Sequence, residues 1–202
     1  SHGFKSSITG KPIERASMHE LEELLRHEYP DIDTEQTLFD MNETPAPLQV
    51  FYSLLLPLEN VKQHPKYHPE GDVLYHSLQV FDLACDAMPY DEEFLLAAIL
   101  HDVGKGIDSS AHLESGLEAL EGLITQRTHW LIANHMEAHR IFDGTIGSRA
   151  HRRLRENESY EDLLLLSECD RGGRVPGAVT SELEEAIEYI RSLGDESWSR
   201  EL

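Results

Sequence analysis

His101 and Asp102 stand side by side where an apolar run, Phe94 to Leu100, ends abruptly and gives way to Val103, Gly104, Lys105 and Gly106. Adjacent side chains on a helix diverge by roughly 100°, so both reach a common partner only at a helix end with other elements around it. A divalent cation is such a partner, since it accepts an imidazole nitrogen and a carboxylate oxygen from one element and further ligands from its neighbours. His76 and Asp170 are the natural candidates for those further ligands. Each lies on a separate apolar helical stretch, where a buried polar group requires a partner and a carboxylate a positive one. The competing account of His101 and Asp102 is a helix C-terminus whose last turn hydrogen-bonds to them.

Three more histidines extend the pattern. His135 and His139 are spaced i, i+4, which puts both rings on one helix face about a turn apart. His112 follows the His-Asp turn and precedes Gly116 by four residues, the glycine permitting close helix approach at that level. Together these residues can hold one or two metal ions, and with two the Asp102 carboxylate is the obvious bridge and a bound water the nucleophile. A half-buried helix face is the competing account of His135 and His139, and an N-terminal helical turn that of His112.

The elements that must position these groups read as helices throughout. Ser17 and Glu20 form a capping box ahead of Leu21, Leu24 and Leu25, so a short amphipathic helix is expected before Pro30. The aperiodic stretch from Asp31 to Pro47 reads as a connector, which divides the chain into an N-terminal helix and connector over 1–44 and a helical domain over 45–202. A buried helix from Leu48 to Val61 is expected to bend or break at Pro57. The next, opening after Asp72, carries His76, and Asp91 caps the run that ends in His101. Further helices are expected from about Ala111 to Leu123, Gln126 to Phe142, Ser148 to Glu156, Tyr160 to Cys169 and Ser181 to Leu193. With no strand alternation, no internal repeat and no glycine-rich phosphate loop, the expected fold is all-α, an irregular multi-helix bundle.

Composition narrows the function. Among 202 residues, 38 acidic against 17 basic give a formal charge of −21, a field that disfavours extended nucleic acid as a partner. It does not exclude small anions, because a bound divalent cation reverses the field locally. Two cysteines, Cys85 and Cys169, make no disulfide framework and are expected to be buried thiols in a reducing compartment. No apolar run approaches a membrane span and the N-terminus lacks a secretory pattern, so a cytoplasmic protein with no membrane partner is expected. Of the 12 histidines, His64 and His68 flank Pro65 and Pro69 in a loop that either lines the site mouth or is simply exposed, the exposed loop being the reading adopted, and His19, His27, His129 and His151 have no partner pattern.

The residues His76, His101-Asp102 in the context His-Asp-Val-Gly-Lys, and the late Asp170 resemble the HD superfamily of metal-dependent phosphohydrolases, whose pattern is H…HD…D. The resemblance covers roughly Pro65 to Gly177. The stretches HPEGDVLYHSLQVFDLA, ILHDVGKG, HLESG and DRGGR are most similar to the HD domain of bacterial CCA-adding tRNA nucleotidyltransferases. It implies an HD-type helical bundle, a divalent transition metal (Mn, Fe, Co, Ni or Zn, one ion or two), and hydrolysis of a phosphomonoester or a cyclic phosphodiester. Asp31 and Asp33 form a bare D-x-D without a glycine-rich strand before it, so transfer of nucleotides to tRNA is not implied. The Phe142-Asp143-Gly144 segment lacks the Gly-Tyr-Pro signature of cyclic-di-GMP phosphodiesterases.

Phosphoester hydrolysis needs cations on the non-bridging oxygens. Lys105, three residues beyond Asp102, suits that task as a compact point charge. Arg174 can assist by a bidentate contact, with Arg171 its competitor. The expected substrate is a small, nucleotide-like phosphoester. Two alternatives share the ligand set: a di-iron oxygenase on the same scaffold, and a nucleotide-sensing module that turns nothing over.

Overall fold

The computed structural model describes residues 44–194. The N-terminal helix expected around Ser17 to Leu25 and nearly all of its connector lie outside these residues. Among the described residues the chain forms eight α-helices and no β-strand beyond one isolated bridge between Lys62 and Asp72.

Helix α1, Ala46–Leu55, buries Leu48, Phe51 and Leu55 on one face. Pro57 then withholds an N–H from the α pattern, and the chain tightens into a 3-10 turn over Leu56–Asn60. Between this turn and α2 the loop folds back on itself. The Gln63 N–H donates to Gly71 O at 2.9 Å and the Val73 N–H to Val61 O at 3.1 Å, so residues 63–71 form a pinned loop.

Helix α2, Val73–Ala87, starts at Asp72, whose side chain accepts the Tyr75 N–H at 2.8 Å. Helix α3, Glu92–Leu100, starts the same way at Asp91, with the Phe94 N–H at 3.0 Å. Every residue from Phe94 to Leu100 is buried, which makes α3 the central strut; α2, α5, α7 and α8 pack around it. At roughly 1.5–3 kcal/mol for each large apolar side chain so buried, Phe94, Leu95, Ile99 and Leu100 fix where the helix ends. That end is His101, followed by Asp102 and a 3-10 turn over Val103–Gly106.

Helices α4 (His112–Ala119), α5 (Gln126–Phe142), α6 (Ser148–Arg155), α7 (Tyr160–Gly172) and α8 (Leu183–Leu193) complete the bundle. Three ends of these helices differ by two residues or more from the sequence expectation. Helix α4 stops at Ala119 rather than Leu123, because the chain turns through Gly122 at φ 75°. Helix α7 runs on to Gly172, which puts Asp170 inside its last turn instead of after it. Helix α8 begins at Leu183, since Asp82 takes both the N–H and the hydroxyl of Ser181 (3.0 and 2.7 Å) and Glu182 forms a capping box with Glu185. Cys169 is buried as expected, whereas Cys85 is only half-buried.

Candidate metal centre

Four elements converge on the end of α3. His101 and Asp102 come from that end, His76 from α2, His135 and His139 from α5, and Asp170 from α7, with His112 at the start of α4. His76, His101, Asp102, His135 and Asp170 are all buried; His112 and His139 are half-buried. The turn at Gly104 is what lets α4 come this close. A β-carbon at Gly104 would lie 1.8 Å from His112 O and 2.7 Å from the Gly116 nitrogen.

The imidazoles are aimed by their outer nitrogens. Nδ1 of His76 lies 2.7 Å from Gly173 O, Nδ1 of His101 2.8 Å from Ala98 O, and Nδ1 of His135 2.7 Å from Ile132 O. A carbonyl oxygen only accepts, so each Nδ1 carries a proton and each Nε2 points inward. This is the arrangement by which outer hydrogen bonds orient metal-binding histidines. Nε2 of His76, His101 and His112 is shielded from solvent and has no hydrogen-bond partner, an expensive state unless a ligand takes the lone pair.

The inward atoms fall into groups. Nε2 of His76 is 3.1 Å from Asp170 Oδ1 without hydrogen-bond alignment, and Nε2 of His101 is 3.2 Å from Asp102 Oδ2 and 3.9 Å from Asp170 Oδ2. On the other side of Asp102, Oδ1 lies 3.8 Å from His112 Nε2 and 4.0 Å from His135 Nε2. Three clusters among the described residues could hold a cation: His68 with Glu70 and His76, His76 with His101 and Asp102, and Asp102 with His112 and His135, the last two sharing one carboxylate. His139 is turned differently: its Nε2 is 2.6 Å from Asp170 Oδ2, so the i, i+4 pair on α5 divides between the two carboxylates.

Electrostatics follow from burial and pairing. Burial would raise Asp102, but His101 and Lys105 hold it well below the usual carboxylate range. Asp170 is likewise held low, burial being outweighed by His139 and His76. Burial alone would depress His76, yet the carboxylates of Asp170 and Glu70 raise it to about 9. His135, which lacks a close carboxylate, is lowered to about 4 by burial and by His101. Burial also lowers His112. A site with two ionised carboxylates and inward-pointing Nε2 atoms fits a divalent cation, which would displace the proton that the raised His76 otherwise binds.

Outside this core a cleft of about 520 Å³ opens to solvent, lined by Lys105, Arg171, Arg174 and Asp143 together with His68, Tyr67 and Met136. Lys105 Nζ donates to Asp102 Oδ2 at 2.6 Å and to Gln63 Oε1 at 2.8 Å. Arg174 donates to Asp170 Oδ1 at 3.1 Å, whereas Arg171 reaches Asp143 at 3.3 Å at the exposed rim. Arg174 thus sits on the buried Asp170 carboxylate and Arg171 does not.

Sequence reasoning set the site mouth against an exposed loop for His68 and adopted the loop, and it missed Glu70. His68, read as an exposed loop residue, has a side chain only 16% exposed and lies 2.8 Å through Nδ1 from Glu70 Oε1. Glu70 itself has a fully buried side chain and also meets His76 Nδ1 at 3.1 Å. Neither sits on a periodic element, and only the position of Glu70, six residues before His76, hinted at proximity. His64 is exposed, as expected.

Comparison with known proteins agrees with this geometry. Residues 73–172 match the family model described as HD domain. The chain is 28% identical over 162 residues to the Multifunctional CCA protein of Acinetobacter baumannii, an alignment covering 67% of this chain and 39% of that protein. It is 31% identical over 145 residues to the protein of the same description from Halorhodospira halophila, covering 58% and 34%. A third, from Hahella chejuensis, is 43% identical over 60 residues, covering 30% and 14%. The chain spans about two fifths or less of the length of these relatives. With this match, the all-helical bundle and the inward-facing histidines and carboxylates, residues 73–172 of the chain form an HD domain.

Proposed function

We propose that the protein is a metal-dependent phosphohydrolase that cleaves a phosphomonoester or a cyclic phosphodiester of a nucleotide-like small molecule. The observation that carries this reading is the set of solvent-shielded, unpartnered Nε2 atoms on His76, His101 and His112, grouped around ionised carboxylates at the floor of a cation-lined cleft. His76, His101, Asp102 and Asp170 would hold one ion; His112 and His135, with Asp102, would hold a second, and His139 would join it on releasing Asp170. A divalent transition metal bound there lowers the pKa of a coordinated water and so supplies the nucleophile.

The chain's own groups do the rest. Asp102 fixes Lys105 by its 2.6 Å contact, which holds that ammonium at the cleft floor for a phosphate oxygen. Arg174 adds a second donor beside Asp170. Main-chain carbonyls lock the three buried rings, so the ligand geometry is set before any substrate arrives. The cleft takes a small anion more readily than a duplex, in keeping with the charge of −21. Among the described residues no helix is long and apolar enough to cross a membrane, and cytoplasmic placement belongs to the same proposal.

The test is elemental analysis of the purified protein together with hydrolysis of p-nitrophenyl phosphate, bis-p-nitrophenyl phosphate and a 2′,3′-cyclic nucleotide, for wild type and Asp102→Ala. Bound transition metal and turnover, both lost in the variant, are expected. No metal under any loading condition would overturn the reading.

A further inference from the structure

The pinned loop over residues 63–71 brings to the cleft a histidine that no ligand cluster around Asp102 requires. His68 lines the cleft, and its Nδ1 lies 2.8 Å from Glu70 Oε1. The same oxygen meets Nδ1 of His76 at 3.1 Å. Glu70 is therefore a buried brace between the ligand His76 and the cleft-lining His68. Its side chain is fully buried, and its second oxygen, Oε2, has no partner among the described residues. A buried carboxylate is costly to keep, and here its contacts fix the orientation of two imidazoles.

That orientation decides what His68 offers. An ionised carboxylate only accepts, so the proton of the neutral ring is on Nδ1 and Nε2 presents a lone pair. Nε2 has no protein partner among the described residues. Unlike Nε2 of His76 and His101, it is not cut off from solvent. Besides the carboxylates and histidines of the metal cluster, the cleft carries cations, and Lys105 and Arg174 lie close enough to His68 for their charges to act on it. Those cations are donors suited to phosphate oxygens, whereas Nε2 of His68 is an acceptor unsuited to them. A substrate group that donates, carried next to the phosphoester, fits it.

We propose that His68 is a specificity-determining residue that accepts a hydrogen bond from a substrate hydroxyl adjacent to the phosphoester, with Glu70 as the positioning residue that holds its ring. This rests on the cleft being a phosphoester site. A site built to pair a hydroxyl rejects the analogue lacking it, because the acceptor is then left unpaired.

The test compares adenosine 3′-monophosphate with its 2′-deoxy analogue on the metal-loaded protein, by calorimetric binding and by kcat/KM. Wild type is expected to favour the ribonucleotide by about 10-fold or more. His68→Phe should bring that ratio near one while retaining metal content. His68→Gln, whose amide can still accept, should keep part of the preference. Equal binding of the two nucleotides by wild type, binding of neither, or an unchanged ratio in His68→Phe would overturn the assignment. Because binding is read without turnover, a ribonucleotide preference in a protein that hydrolyses nothing would refute the hydrolase reading and leave the role of His68 standing.

Discussion

The backbones of Gly104 and Gly116 meet so closely that a β-carbon on Gly104 would lie 2.7 Å from the Gly116 nitrogen and one on Gly116 3.1 Å from the Gly104 nitrogen. The contact joins the turn that follows the His-Asp pair to helix α4, which carries His112. The approach of His112 to Asp102 therefore depends on two absent side chains.

Gly104→Ala is expected to destabilise the protein at or above the upper end of the roughly 1–3 kcal/mol typical of overpacking, because the obstructing atoms are main chain rather than a flexible side-chain tip. Denaturant unfolding measures this. Elemental analysis of the folded fraction should show reduced metal content, since His112 and Asp102 must move apart. A variant with wild-type stability and metal content would mean the close approach is dispensable.

Arg127 makes a second prediction, about the scaffold. It pairs in bidentate fashion with Asp91 at 2.7 Å for both contacts and reaches Glu93 and Asp162 at 3.1 and 3.0 Å, tying α5 to the starts of α3 and α7. Single exposed pairs contribute about 0–1 kcal/mol, but Arg127 is three-quarters buried and serves three carboxylates. Arg127→Met should lose about 1–2 kcal/mol and show a weaker dependence of unfolding midpoint on salt than wild type. Equal salt dependence in the two proteins would contradict the network's role.

Much of this was legible in the sequence, and what was missed has a common cause. The apolar run ending in His101-Asp102, and the caps at Asp72 and Asp91, are local patterns: periodicity and a side chain three residues from its N–H partner. Asp170 was legible as a buried carboxylate, though its place within α7 rather than after it was not, because Gly172 and Gly173 read as stop signals. His68 was legible only as one of two readings, site mouth or exposed loop, and Glu70 was not legible as a site residue at all. Their burial comes from the hydrogen bonds of Gln63 to Gly71 and Val61 to Val73, tertiary closure that leaves no period in the chain. The division of His135 and His139 between Asp102 and Asp170 is equally invisible to helical spacing, which gives a shared face but not what faces it.

The two buried histidines with opposite shifts predict the pH dependence of the metal-free protein. His76, raised to about 9 in the fold, contributes stability that is complete below its unfolded value of about 6.5 and is lost as pH rises toward 9. His135, lowered to about 4, acts in the other direction, and its contribution is complete above about 6.5 and is lost as pH falls toward 4. Chelated protein should therefore be most stable near pH 6.5 and decline on both sides, as read by thermal unfolding across pH. Added Mn or Zn should flatten the alkaline decline, because a metal-ligating His76 no longer holds the proton whose loss drives it. A decline unaffected by metal would argue against His76 as a ligand.

The cleft cations separate by what they touch. Lys105 is anchored on Asp102 and Gln63, Arg174 on Asp170, and Arg171 on the exposed Asp143 and over the ring of Phe142, away from both buried carboxylates. A donor held against charge developing on phosphate oxygens is worth about 10²-fold in kcat when removed, whereas an exposed rim charge acts mainly on encounter and is screened by salt. Lys105→Met is thus expected to lower kcat for p-nitrophenyl phosphate by about 10²-fold with metal retained, and Arg174→Met to lower it less. Arg171→Met should change only KM, within a few-fold, and that change should vanish at high ionic strength. Steady-state kinetics of the three variants at low and high salt would show the order. A larger kcat loss in Arg171→Met than in Lys105→Met would place the phosphate at the rim, away from Asp102, and remove the geometric basis for Lys105 as the transition-state cation.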